Sequence, residues 1–241
     1  MSRFVLITRR PADCAELQVL LDPCGLKLRP YPVLRLGDVA DEPGWREVLA
    51  QVPEDGDGAW LVFASPRAPQ RLADACRDRE AEHLLRLPIA VVGQGTARAA
   101  EDAGFEVELV GPGTGLGLAE RLADRLAPGT TIVFACGRDR RRELPDALTG
   151  AGHRVLPLVV YQMDPTPPRE LPPLGPSLDA VVLTSPRAAS LYLDGVGGRP
   201  LPCPHWALGP TTQGAATALG ISCHAPEEPT LESLAEELCK I

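Results

Sequence analysis

A short stretch of this chain is written twice. Trp60-Leu61-Val62-Phe63-Ala64-Ser65-Pro66-Arg67-Ala68 is echoed 120 positions later by Val181-Val182-Leu183-Thr184-Ser185-Pro186-Arg187-Ala188. Val91-Val92-Gly93-Gln94-Gly95-Thr96-Ala97 is echoed 116 positions later by Ala207-Leu208-Gly209-Pro210-Thr211-Thr212. That second register runs on to Leu118-Ala119-Glu120-Arg121-Leu122 against Leu234-Ala235-Glu236-Glu237-Leu238. A period this long is far beyond the roughly 20–50 residues of a solenoid unit. It predicts two related globular domains, which a chain of 241 residues has the length to supply. The duplicated words fall where an apolar run gives way to serine, glycine or threonine. What was copied is a strand-to-helix turn.

The rest of the sequence fits strands alternating with helices. Residues 4–7 predict a buried strand, 11–21 a helix ending near Gly25, and 27–36 an extended return. Residues 59–64 predict a strand that enters a helix through Ser65-Pro66, where serine can cap free N–H groups and proline suits the first helical position. Residues 88–92 give another strand, followed by a helix over 96–103 that Gly104 ends. The second half repeats the scheme: strands at 131–135, 155–163, 180–184 and 206–208, with helices at 141–149 and 211–219. Apolar strands without alternation, separated by helices, predict parallel sheets covered on both faces. The fold class is therefore α/β, with ligand chemistry at the carboxyl ends of the strands. Two stretches interrupt the pattern, the polar residues 37–58 and the proline-rich residues 165–173. Each follows an extended segment, 32–36 or 159–163, and this symmetry predicts that the chain crosses between domains there.

Composition narrows the function. A net charge of −8 argues against a nucleic-acid surface. The apolar runs, such as 59–64 and 155–161, are far shorter than the ~18 residues of a membrane span. The first residues lead directly into a strand, without the basic and long apolar regions of a signal peptide, so the expected location is the cytoplasm. Seven cysteines without CxxC spacing predict reduced thiols rather than disulfides or a zinc site. His83, His153, His205 and His224 are scattered without ligand spacing, so no metal site is predicted.

No nucleophile elbow, HExxH, Walker lysine or dinucleotide fingerprint is present. The Gly111–Gly117 stretch has no following Lys-Ser/Thr, and its counterpart carries Glu227 and Glu228, so it reads as a helix entry rather than a phosphate cradle. What remains is a set of turns rich in backbone donors and small hydroxyls, at Thr8, Ser65, Thr96, Ser185 and Thr212. Gly137 is followed by Arg138, Arg140, Arg141 and Arg142. Any helix needs capping, and arginines in succession suit a solvated face, of which one or two could point at a ligand. Helix N-termini also bind anions without surface basicity. Five such turns in two related domains point to a shared anion-binding cleft, onto which Tyr161, in a crossing segment, could face.

These residues together resemble the uroporphyrinogen-III synthase family over essentially the whole chain. The marks are Leu6-Ile7-Thr8-Arg9, Phe63-Ala64-Ser65-Pro66-Arg67-Ala68, Val92-Gly93-Gln94-Gly95-Thr96-Ala97, Gly137 with Arg141, Val160-Tyr161-Gln162, Leu183-Thr184-Ser185-Pro186 and Leu208-Gly209-Pro210-Thr211-Thr212. Ala64 stands where the family often has Thr, and Gln213 where it often has Ala. The resemblance implies a bilobal protein of two related parallel-sheet α/β domains joined by two crossing strands. One domain would hold residues 1 to about 35 and 164–241, the other residues 37–160; the repeats alone would split the chain near residue 128.

The implied activity is that of a lyase: cofactor-free cyclisation of the linear tetrapyrrole hydroxymethylbilane to uroporphyrinogen III, with loss of water and inversion of ring D. The implied proton donor is Tyr161. The implied substrate-binding residues are Thr8, Arg9, Ser65, Pro66, Arg67, Gly93, Thr96, Gly137, Arg138, Arg141, Ser185, Arg187, Gly209 and Thr212. No metal or cofactor, and no nucleic-acid or membrane partner, is expected, and the protein should be a monomer. The rivals are a non-catalytic two-domain binding module for a small polyanion and a sugar-phosphate isomerase. The second lacks a convincing Glu/His acid–base pair.

Overall fold

The computed structural model of the protein describes residues 3–39, 42–175 and 177–241. In chain order the elements are β1 (Arg3–Ile7), α1 (Ala15–Leu21), β2 (Leu26–Pro30), β3 (Leu34–Gly37), α2 (Glu42–Gln51), β4 (Ala59–Phe63), α3 (Ala68–Asp78), β5 (Ile89–Val91), α4 (Gln94–Asp102), β6 (Val107–Val110), α5 (Gly115–Arg125), β7 (Thr131–Gly137), α6 (Glu143–Gly150), β8 (Arg154–Pro165), β9 (Ala180–Leu183), α7 (Pro186–Gly195), β10 (His205–Ala207), α8 (Pro210–Ala218), β11 (Cys223–His224) and α9 (Leu231–Cys239). The extended return predicted over 27–36 is two strands, β2 and β3, which lie in different sheets. Within the polar stretch 37–58, residues 40 and 41 lie outside the described residues.

The chain forms two compact units, Met1–Arg35 with Asp164–Ile241 and Leu36–Met163. Both boundaries fall inside strands, the first in β3 and the second in β8. The first unit has a five-stranded sheet in the order β11-β10-β9-β1-β2, and the second a six-stranded one in the order β3-β8-β7-β4-β5-β6. The registered pairs in both are parallel. With β3 set aside, the two sheets share one order, in which β7, β8, β4, β5 and β6 stand where β1, β2, β9, β10 and β11 stand. In the first unit's chain order it is the doubly wound 2-1-3-4-5, whose connections reverse direction between the first and third positions. The second unit has the same layout, with β7 and β8 coming last in the chain. In the first unit that switch point lies between β1 and β9, in the second between β7 and β4.

Alternate residues of each buried strand face opposite layers. Leu61, Phe63 and Val133 pack on one side of the second sheet with Trp45 and Leu72. Val62, Ile132 and Phe134 pack on the other with Leu118 and Leu144. The first sheet is covered in the same way, Leu6 and Val181 on one side, Val5, Ile7 and Val182 on the other. The duplication reaches the helix ends. Gly104 (φ 89°) closes α4 and Gly220 (φ 79°) closes α8. At both ends the next amide, of Phe105 or Ile221, bonds back at 3.0 Å to Ala100 or Ala216. Left-handed backbone there requires glycine.

One expectation is overturned. Cys24 and Cys239 form a disulfide, with their Cα atoms 5.6 Å apart. Packing of α1 against α9 brings together two residues separated by 215 positions, a proximity that spacing along the sequence cannot display. The other five cysteines are in no disulfide.

The core of the first unit holds a buried polar pair of two rings. The Tyr192 hydroxyl lies 2.8 Å from His205 Nε2 and accepts from the Leu201 amide at 3.1 Å. Burial pushes the His205 pKa below its ordinary 6.5, with a backbone hydrogen bond to Cys203 acting the other way. His205 is therefore neutral when folded and takes up a proton on unfolding in mild acid. The stability this contributes is complete above pH 6.5 and is lost as pH falls through the lowered pKa. Chemical denaturation at pH 7.5 and 5.5 should show the wild type losing more stability than His205→Gln. Tyr192→Phe, which strands the Leu201 amide and His205 Nε2, should cost about 1–3 kcal/mol at pH 7.5.

Candidate functional site

The two switch points are built from equivalent positions and end differently. In the first unit β1 pairs with β9 through Ile7 and Val182, and in the second β7 pairs with β4 through Phe134 and Val62. One residue beyond Ile7 stands Thr8; one beyond Phe134 stands Ala135. The repeat likewise matches Thr184 to Ala64. Thr8 and Thr184 lock their seam. Their hydroxyls are 3.2 Å apart, Thr184 Oγ1 donates to the Thr8 carbonyl at 3.1 Å, and the Thr184 amide donates to Thr8 Oγ1 at 3.1 Å. The alanine pair of the second unit makes no such bonds, and both alanines line a cavity of 420 Å³. That volume is in the range of small-molecule sites, and it lies at the carboxyl ends of β4 and β7, where open α/β sheets bind ligands.

The cavity wall joins residues from several turns. Ser65, Gly137, Arg141 and Tyr161, all sequence candidates, line it. So do Arg140, Asp139 and Glu143, and the glycine-rich turn at Gly113, Thr114 and Gly115, which sequence reasoning had not assigned to a site. That turn is a helix entry: Thr114 Oγ1 caps α5 by accepting from the Gly117 amide at 3.2 Å. It reaches the cavity because Gly93 and Gly113 meet backbone to backbone. A Cβ on Gly93 would lie 3.1 Å from the Gly113 Cα. In the first unit, a Cβ on Gly209 would lie 3.1 Å from Pro229. The signal for Thr114 was already in the repeat, since its equivalent Thr230 caps α9 in the same way, from the Ser233 amide at 3.2 Å.

The other candidates fall outside the cavity wall. Arg138 is exposed and donates from Nε to Gln162 Oε1 at 2.9 Å. Pro66 is exposed and Arg67 half-buried at the start of α3. Gly93 caps α4, within whose first turn Thr96 is 3% exposed. In the first unit Thr8 is 4% exposed, Thr212 is 6% exposed within α8, and Gly209 caps that helix. Arg9 is half-buried, its Nη1 3.5 Å from the Asp13 carbonyl, and Arg187 is exposed on α7. Burial explains why three of the hydroxyls do not present themselves: they face their own unit's backbone and core.

The charged side chains at the cavity are balanced, Arg140 and Arg141 against Asp139 and Glu143. The first turn of α5 brings free N–H groups to the cavity. Burial raises the thiol pKa of Cys76 to about 12 and of Cys223 to about 11, so neither offers a thiolate at neutral pH. Among the described residues there is no cluster of His, Cys, Asp and Glu able to hold a metal ion, and no helix is long and apolar enough to cross a membrane.

Comparison with known proteins agrees with the fold. Residues 15–236 match the family described as uroporphyrinogen-III synthase HemD. The chain belongs to the uroporphyrinogen-III synthase family. A relative from Methanothermobacter thermautotrophicus, provisionally named a uroporphyrinogen-III synthase, is 28% identical over 244 residues, covering 95% of this chain and 94% of the relative. Among solved structures, uroporphyrinogen-III synthetase from Helicobacter pylori aligns with a TM-score of 0.66 at 17% identity, covering 100% of this chain and 99% of the other. A mutant uroporphyrinogen III synthase from Thermus thermophilus aligns with a TM-score of 0.55 at 20% identity, covering 99% and 98%. At those identities the two structures speak for the α/β fold of the family.

The duplicated Ser-Pro-Arg-Ala does not behave alike in its two places. Ser185 Oγ accepts from the Ala188 amide at 3.1 Å and caps α7, which begins at Pro186. Ser65 Oγ accepts from the Arg67 amide at 3.3 Å, and α3 starts only at Ala68. Ser185→Ala should therefore cost about 1 kcal/mol in urea denaturation, and Ser65→Ala a few tenths.

Proposed function

We propose that this protein closes hydroxymethylbilane to uroporphyrinogen III, the reaction of its family, with no cofactor. The observation that supports this best is the cavity at the β4/β7 switch point, where a tyrosine and two arginines line one small chamber. The substrate carries eight carboxylates, and the arginines and the α5 N-terminus suit such arms. The chamber seats one end of the tetrapyrrole.

Tyr161 is the proton donor in this reading. Protonation of the terminal hydroxymethyl oxygen lets the C–O bond break, water departs, and an azafulvene cation remains. The substituted carbon of ring D then attacks that cation to give a spiro intermediate, which opens and recloses with ring D inverted and a proton released. Acid help to the departing hydroxyl is worth up to ~10²–10⁴-fold in rate. The larger task is holding a flexible chain so that inverted closure precedes spontaneous unflipped closure, which is catalysis by positioning. Neither task needs a nucleophile.

The purified protein supplied with hydroxymethylbilane should yield the type III isomer once the products are oxidised and separated. Only type I, as in the control without protein, would leave a non-catalytic polyanion-binding module as the better reading. Tyr161→Phe should keep the fold by circular dichroism and lower kcat at least several-fold, and unchanged turnover would remove Tyr161 from its role.

A further inference from the structure

Along most of their length β7 and β8 pair in even steps, from Thr131 with Arg154 to Cys136 with Val159. The next pair is Gly137 with Tyr161, so Val160 is an extra residue on β8. A bulge of this kind re-aims the side chains around it. Leu156, Leu158 and Val160 face the layer built on Trp45 and Phe63, while Val155 and Val159 face the opposite layer. Strict alternation would send Tyr161 with Val159. It packs instead on the same side as Val160 and forms part of the cavity wall.

Gly137 lies directly beneath that ring. A Cβ there would sit 2.7 Å from Tyr161 Cε2 and Cζ and 2.9 Å from the hydroxyl oxygen. The backbone of Gly137 is not left-handed, so its conformation does not call for glycine. Space for the tyrosine does. The seat is pinned beyond the bulge, where the Arg138 amide donates to the Tyr161 carbonyl at 3.0 Å and the Arg138 side chain holds Gln162.

We infer that Gly137 is a positioning residue for Tyr161: its missing side chain, opposite the Val160 bulge, sets where the tyrosine hydroxyl stands in the cavity. This assigns Gly137 a role other than substrate binding and rests on the reading of Tyr161 as proton donor. The atoms an added methyl would meet are the far end of the ring, which can swing aside, so an alanine displaces the hydroxyl rather than preventing folding.

Two double-variant cycles test it. In melting experiments Gly137→Ala should lower Tm by several degrees in the wild type and by much less in Tyr161→Ala, where no ring is left to meet the methyl. An equal loss in both backgrounds would overturn the seat. In the isomer assay Gly137→Ala should lower kcat roughly as far as Tyr161→Phe does, with KM within about twofold, and should add nothing to Tyr161→Phe. Additive losses, or a loss confined to KM, would overturn the positioning role. Should Tyr161→Phe turn over normally, the proton-donor reading fails, and the melting cycle still decides whether the ring is seated on Gly137.

Discussion

Everything in the first unit depends on β1 finding β9. The two strands pair in parallel, Val5 with Ala180 and Ile7 with Val182, across the whole of the second unit's sequence. Neither strand has a substitute partner on that side, and without the pairing β1 and β2 are an isolated two-stranded ribbon. The Thr8–Thr184 contacts sit at the end of this seam, where the hydroxyls and backbone of the two residues bond to one another. Closing so long a loop is entropically costly and slow. The second unit is contiguous, yet its β4–β7 pairing also joins distant residues, Ala59 with Thr131.

The same seam explains the asymmetry between the units. A doubly wound sheet offers a crevice at its switch point whether or not it is used. Here equivalent positions in a duplicated fold differ. One copy joins its strand ends with a bonded hydroxyl pair, and in the other two alanines line a cavity. The polar groups that would have been satisfied internally are replaced by arginines and a tyrosine that reach in from later turns.

Much of this was legible in the sequence. The 120- and 116-residue echoes gave equivalent strands, and the match of Gly104 to Gly220 and of Thr114 to Thr230 holds down to individual hydrogen bonds. The strand and helix pattern was readable because buried parallel strands are written as unbroken apolar runs. What the echoes could not show was that β7 and β8 stand for β1 and β2, because those segments share shape without shared words. Arg138 and Arg141 look alike in sequence, yet one is turned to Gln162 and the other to the cavity. Thr8, Thr96 and Thr212 read as candidate ligand-binding hydroxyls because a helix entry announces a donor or an acceptor but not which way it faces. The bulge at Val160 left no trace in composition, since an extra valine in an apolar strand is indistinguishable from a regular one.

The bond between Cys24 and Cys239 has a consequence for the covalent topology of the molecule. It makes the chain a macrocycle with short tails: residues 24 to 239 form one closed ring, and the whole second unit is strung on it. A single backbone cut anywhere in that ring releases no fragment. The nicked protein stays one covalent piece until a reductant opens the sulfur bridge.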